Sequence, residues 1–369
     1  APVCVTCHSA HQIARTEGAA WKAHVLAECG SCHPESRKTF RDTFHGKETQ
    51  LGFMRVATCA DCHGAHDIYP KRDARSTVST TRLVATCAKC HTGSNASFAQ
   101  YDPHADRHNR ARNPLLFYTS KFMEALLVMV FAFFWTHSAL WFYREYRDRR
   151  DGKSAPHVSL DELPQLQGRH FNRFGPVWRL AHLVFATSVM MLVLTGMAVL
   201  YAETGWAKFI VGVIGGPRVA AILHRVSATL LLGIFFVHLV YMAVRVVPKW
   251  KKLSDWFGPD SLIPNWKDLS DIIAMFRWFF GKGARPAFDR WTYWEKFDYW
   301  AVFWGMAIIG GSGMVLAFKE TTAAILPGWV FNIATLVHGA EAVFPAVSLF
   351  TVHFFHNHSR PDQMPPPDC

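Results

Sequence analysis

Polar and apolar positions divide the chain into two unequal parts. Residues 1–113 hold no long apolar run, whereas residues 114–358 hold long apolar stretches separated by basic loops. Five stretches reach the length of about 20 residues that a bilayer-spanning helix needs. They are Phe122–Tyr143, Val177–Tyr201, Val219–Val247, Tyr299–Phe318 and Val330–Phe355. The pattern predicts a mostly α protein in three parts: a loop-rich N-terminal domain (1–113), one anchoring helix (114–150) and a four-helix membrane domain (151–369). Loop 248–298 of the last part carries Leu269, Ile272, Ile273, Phe276, Phe279 and Phe280 at helical spacing. This predicts an amphipathic helix at the membrane surface, capped by Ser270 or Asp268. The tail Pro365-Pro366-Pro367 is expected to lack regular structure.

Charge orients these spans. The net charge of +11 reads at first as a nucleic-acid signal, but Lys and Arg cluster beside the apolar stretches. Arg144, Arg147, Arg149, Arg150 and Lys153 follow the first stretch; Arg245, Lys249, Lys251, Lys252 and Lys267 follow the third. The other two loops are poor in positive charge. Positive loops stay in the cytoplasm, so the N-terminal segment is expected outside, on the periplasmic face of a bacterial inner membrane. No nucleic-acid partner is expected.

The chemistry lies in the polar segment. Cys-x-x-Cys-His occurs four times and uses eight of the nine cysteines. The first copy is Cys4, Cys7 and His8; the second is Cys29, Cys32 and His33. The third is Cys59, Cys62 and His63; the fourth is Cys87, Cys90 and His91. This is the attachment motif of c-type haem: the thiols form thioethers, and the adjoining His is the first axial ligand of the iron. Such attachment takes place outside the cytoplasm, the side that the basic loops also indicate. The opening Ala1-Pro2-Val3 reads as a terminus left by cleavage of an export signal. Thiols committed to haem leave no disulfide framework, and Cys369 reads as a free thiol on the tail. About 110 residues around four haems leave little apolar side chain, so the domain is expected to be packed on the macrocycles.

Second axial ligands are sought among His11, His24, His45, His66 and His104, with His108 read as a surface residue. His11 and His66 each follow a motif His by three positions, which suggests parallel roles. His45 and His104 are expected in loops whose turn residues swing an imidazole onto iron. If every iron has two His ligands, no iron is open to substrate, which favours electron transfer over nitrite or sulfite reduction.

The apolar spans contain histidines, which are costly in hydrocarbon and usually functional. His182 lies in the second span, His224 and His238 in the third, His338 and His353 in the fifth, and His356 and His358 at its exit. His224 and His238 are 14 residues apart, close to four turns and about 21 Å along a helix. His338 and His353 are 15 apart with Pro345 between them. Paired helices of this kind suit two b-type haems. The outer haem takes His224 with His338; the inner takes His353 with either His238, by spacing, or His182.

The phrases around His45, Cys59–Ile68 and Cys87–His91 resemble multihaem c-type cytochromes of bacterial anaerobic respiration. Arg179-Leu180-Ala181-His182, Leu194-Thr195-Gly196, Ile222-Leu223-His224-Arg225 and the stretch from Val337-His338 to His353 resemble the cytochrome b subunits of formate dehydrogenases and nickel-iron hydrogenases. That resemblance implies His182 as the inner ligand and leaves His238 to hydrogen-bond a propionate or to join His356 at a third haem. The first span, with His137, has no counterpart in that four-helix core and reads as the anchor. The chain as a whole resembles fusions of the two types. The resemblance implies a quinone site near the inner haem, for which His356, Asn357, His358 and Arg360 are the candidates.

The expected function is electron transfer between a quinone, expected to be menaquinone, and periplasmic or extracellular redox partners, within a multisubunit complex. Oxidation of quinol is the favoured direction, which makes the chain a quinol:cytochrome oxidoreductase component. The alternatives are delivery of electrons from a periplasmic dehydrogenase or hydrogenase to quinone, and a passive relay without a quinone site. Nothing in the sequence indicates a molybdenum, iron–sulfur or nucleotide site.

Overall fold

The computed structural model describes residues 3–8, 10, 11, 15, 16, 18–153, 175–353 and 355, and these hold helices and no strand. The polar segment forms short helices: α1 (Cys4–His8), α2 (Ala19–Cys32), α3 (Pro34–Arg41), α4 (Phe44–Gln50), α5 (Cys59–His63) and α6 (Leu83–Ala88). Their ends are set by local hydrogen bonds. Thr43 caps α4 by accepting from Gly46 N at 3.0 Å. At α5, Asp61 accepts from Thr58 N at 2.8 Å, and Gly64 at φ +83° turns the chain out of the helix.

The apolar segment forms α7 (Pro114–Arg150), α8 (Pro176–Leu200), α9 (Gly205–Ile214), α10 (Pro217–Tyr241), α11 (Leu253–Phe257), α12 (Trp266–Phe279), α13 (Tyr293–Gly305), α14 (Gly311–Ala317), α15 (Lys319–Ala323) and α16 (Trp329–Ser348). A π turn at Met306–Gly310 joins α13 to α14 as one span. Further π turns, Met242–Val246 and Leu349–His353, extend α10 and α16. Among the described residues five spans are long and apolar enough to cross a membrane: Pro114–Arg150, Pro176–Leu200, Pro217–Lys249, Tyr293–Ala317 and Trp329–His353. The five apolar stretches of the sequence thus become five spans, and the chain is a multi-pass membrane protein.

The chain forms two compact units, each assembled from three segments. One unit joins residues 1–123, 190–227 and 308–342. Here the polar segment is bonded to the ends of apolar helices. Lys47 Nζ donates to the Leu200 carbonyl at the end of α8 at 2.8 Å. Asp102 N donates to Asn332 Oδ1 at 3.2 Å, and Asn332 Nδ2 donates back to the Asp102 carbonyl at 2.8 Å. Gly328 N donates to the Ser97 carbonyl at 2.8 Å, and a Cβ on Gly328 would lie 2.4 Å from that oxygen. Phe98, Ala323 and Phe331 form an apolar cluster beside these bonds.

The other unit joins residues 124–189, 228–307 and 343–369. Its core is aromatic: Trp141, Met275, Trp278, Phe279, Tyr293 and Trp294 are all buried. The Arg285 guanidinium lies over the Trp141 and Trp278 rings at 5.3 and 5.5 Å. Helix α12 occupies the amphipathic stretch, but neither Ser270 nor Asp268 is its cap. Asn265 is, accepting from Lys267 N at 2.9 Å. Asp268 instead sits at the third helical position and accepts from Asn265 N at 2.7 Å, the reciprocal arm of a capping box. Its carboxylate also takes the buried Lys296 ammonium at 2.9 Å. Ser270 Oγ donates back to the Lys267 carbonyl.

Candidate metal centres of paired imidazoles

In the first unit, histidines distant in sequence face each other at nearly one separation. Ring centroids lie 6.1 Å apart for His8 and His66, 6.2 Å for His45 and His91, 6.3 Å for His63 and His104, and 6.3 Å for His224 and His338. The spacing is within the range of ring-on-ring packing, and it is also one that leaves room for a metal between two rings. A metal held between two imidazole nitrogens through bonds of about 2.0 Å sets the centroids about 6.3 Å apart. Among the described residues no group of three or more His, Cys, Asp or Glu is placed to hold a metal ion. Each pair thus offers two imidazoles and no further side-chain donor among the described residues.

The thiols of the motifs are placed by short helices. Cys4 and Cys7 lie in α1, Cys29 and Cys32 in α2, and Cys59 and Cys62 in α5. A spacing of three puts two side chains on one face of a helix, so each pair can meet one ligand edge. The fourth motif departs from this pattern. Cys87 lies in α6, but Cys90 falls in the turn after it, where its N–H donates to the Cys87 carbonyl at 3.2 Å. Cys4, Cys32 and Cys90 are exposed, while Cys7, Cys29, Cys59, Cys62 and Cys87 are half-buried. All eight are free of disulfides. The motifs also approach one another: the neighbouring Cys59 side chain holds the Cys29 thiol well below its ordinary value, at about 6.

Three of the four imidazole pairs join a motif histidine to one of the expected second ligands. His8 stacks on Trp21 of α2, with centroids 5.0 Å apart. His45 is not in a loop: Thr43 starts a helix there, and His45 is its second residue. Burial lowers the basicity of His45, His63 and His104, which favours the neutral ring that metals bind. His33 remains exposed, and among the described residues neither His11 nor His24 is paired with it. His66 faces His8, and both His66 and His11 are exposed. Gly64, with positive φ, reverses the chain after the third motif; the first motif has Ser9 at the matching place. His108 is exposed and accepts from Arg107 Nε at 3.2 Å.

Four of the paired rings are anchored through Nδ1. His224 Nδ1 meets Thr195 Oγ1 at 2.9 Å, and His338 Nδ1 meets the Ile309 carbonyl at 3.0 Å and Ser312 Oγ at 3.2 Å. His104 Nδ1 meets Thr39 Oγ1 at 3.0 Å, and His91 Nδ1 meets Glu320 Oε1 at 3.1 Å. Anchors of this kind fix the ring and leave Nε2 for a metal. Gly196 and Gly313 lie against the membrane pair: an added Cβ would stand 3.5 Å from His224 Cε1 and 3.1 Å from His338 Cε1. Thr195 lies in the phrase Leu194-Thr195-Gly196 singled out above; Ser312 and Gly313 are marked only as small residues grouped in an apolar helix, and Glu320 carries no mark of a site in the sequence.

The second unit holds His182, His238 and His353. His182 is exposed, and no described histidine ring is paired with it. His238 Nε2 shares a hydrogen bond with Tyr299 OH at 3.0 Å, beside Trp178. His353 Nδ1 lies 3.5 Å from Asp298 Oδ2. His137 is buried among Trp141, Phe276 and Phe279, with Nε2 hydrogen-bonded to Tyr293 OH. The quinone candidates His356, Asn357, His358 and Arg360, together with Cys369, lie outside the described residues. Comparison of the chain with known protein families, with curated proteins and with solved structures found no match.

Proposed function

We propose that the chain carries electrons across a bacterial cytoplasmic membrane through four covalent c haems and two b haems, exchanging them with a quinone. The observation that carries this reading is the recurrence of one imidazole separation, 6.1–6.3 Å, at three attachment motifs and again inside the membrane spans. Two kinds of sequence context, the repeated motif and the apolar spans, arrive at a separation that such a centre would use. The c haems take His8 with His66, His63 with His104, His91 with His45, and His33 with a second ligand from His11 or His24. The outer b haem takes His224 with His338. The inner takes His353 with His182, because His238 already engages Nε2 on Tyr299.

The haems supply one-electron redox chemistry; the chain supplies ligands, spacing and a dry path. Cys7 and Cys90, like the other motif thiols, would hold the c haems by thioether bonds. Gly313 leaves the His338 ring room that a side chain would press on, since an added Cβ would stand 3.1 Å from Cε1. Quinol oxidation releases two electrons and two protons. The electrons would then pass singly toward the centres that His224 with His338 and the motif histidines would hold, and on to an external acceptor. The N-terminal segment then faces the periplasm.

The pyridine haemochrome spectrum tests the composition: two c haems are expected for each b haem. Rapid reduction of all haems by a menaquinol analogue, blocked by quinone-site inhibitors, supports the quinol direction. Reduction only from the c side, insensitive to those inhibitors, overturns the quinone part and leaves a relay.

A further inference from the structure

The loop after the fourth motif is attached to α15 at two points. Asn95 Nδ2 donates to the Ala323 carbonyl at 3.1 Å, and His91 Nδ1 meets Glu320 Oε1 at 3.1 Å. Gly93 makes the second contact possible: a Cβ there would stand 2.9 Å from Glu320 Cβ and 3.1 Å from its Cγ. The Phe98 ring centroid lies 4.9 Å from that of His91 and packs against it. The anchors on the other paired rings are hydroxyls or a carbonyl; Glu320 brings a formal charge.

A carboxylate on Nδ1 draws the ring proton toward itself and makes Nε2 a stronger donor. A stronger donor favours the oxidised iron over the reduced one and so lowers the reduction potential. We infer that Glu320 is a positioning residue for His91, set to lower the potential of the c haem held by His45 and His91. The inference rests on the haem reading above. It adds a specific consequence: a residue of the membrane segment tunes a haem of the exported segment. The same haem sits where α4 joins the membrane helices, since Lys47, two residues after His45, bonds the end of α8.

The test is a redox titration of the purified full chain, resolved by haem, for wild type, Glu320→Gln and Gly93→Ala. Glu320→Gln keeps the shape and removes the charge. The reduction equilibrium of one c haem is expected to rise about tenfold, which is about 59 mV for a one-electron couple. The low-spin electron paramagnetic resonance signal of that haem is expected to move with it, and the other haems to stay unchanged. Gly93→Ala displaces the carboxylate without deleting it; it is expected to shift the same haem in the same direction by less. It also decides the matter if the first variant fails to load its haem. Unchanged potentials in both variants, with the c-to-b ratio still two to one, overturn the role of Glu320 alone. A wild-type ratio that departs from two to one overturns the haem reading instead.

Discussion

The two units treat their membrane histidines differently. In the first, His224 and His338 face each other at 6.3 Å, and each turns Nδ1 back to a hydroxyl or carbonyl of a neighbouring helix. In the second, His137 and His238 spend Nε2 on the hydroxyls of Tyr293 and Tyr299, and His353 sits beside Asp298. Depth and spacing in the sequence treat all of these alike. The difference lies in which nitrogen is engaged: an imidazole anchored through Nδ1 presents Nε2 to something else, and one anchored through Nε2 is a packing residue.

The sharpest way to break this contrast is to remove rings. His338→Ala is expected to halve the b haem content and leave the c haems intact, read from the haemochrome spectrum. His182→Ala is expected to remove the remaining b haem, whereas His238→Phe retains both. If His238→Phe loses a b haem and His182→Ala does not, the distinction between Nδ1 and Nε2 anchoring fails in the second unit.

Next in size is the buried ion pair of that unit. Lys296→Met leaves the Asp268 carboxylate enclosed without its partner, at a cost of about 3–5 kcal/mol. A marked loss of thermal stability is expected. A stability equal to wild type would show that the pair does not brace α12.

Smaller effects belong to the anchors. Thr195→Val deletes the bond to His224, and Gly313→Ala presses on His338. Each is expected to weaken b haem retention by about tenfold, measured as transfer to a haem-scavenging protein. Gly196→Ala, with its Cβ at ordinary contact distance, is expected to change retention little.

The smallest effect is one of pH. Glu48 in α4 is buried, which raises its carboxyl above the ordinary range, while the Arg225 charge pulls it down. A raised carboxyl stabilises the fold fully below the ordinary glutamate value of about 4.3, and that stability is lost as pH rises through the folded value. Amide exchange in α4 is therefore expected to quicken with rising pH beyond its intrinsic trend, and Glu48→Gln to remove the excess.

The spans were legible because length and hydropathy determine them with little help from tertiary context. The four Cys-x-x-Cys-His motifs were legible as a repeat, although the repeat hides that Cys7 sits in a helix and Cys90 in a turn. What escaped depends on contacts far apart in sequence or on caps. His45 reads as a turn residue because Gly46 follows it; only the Thr43 bond to Gly46 N reveals a helix. Asn265 escaped as a cap because the amphipathic period begins at Leu269, a full turn later. Glu320 lies 229 residues from His91 and carries no local mark of its role. His33 shows the opposite case, a residue singled out by its motif that the fold pairs with neither His11 nor His24 among the described residues.

The reciprocal bond between Asp102 and Asn332 spans 230 positions. A ribosome completes the N-terminal segment long before it makes the last helix, so this bond has no partner until synthesis is nearly finished. Closing so large a loop is slow. On the proposed reading, cofactor insertion has an interval in which the cysteines are still accessible, before docking onto α16 closes behind it.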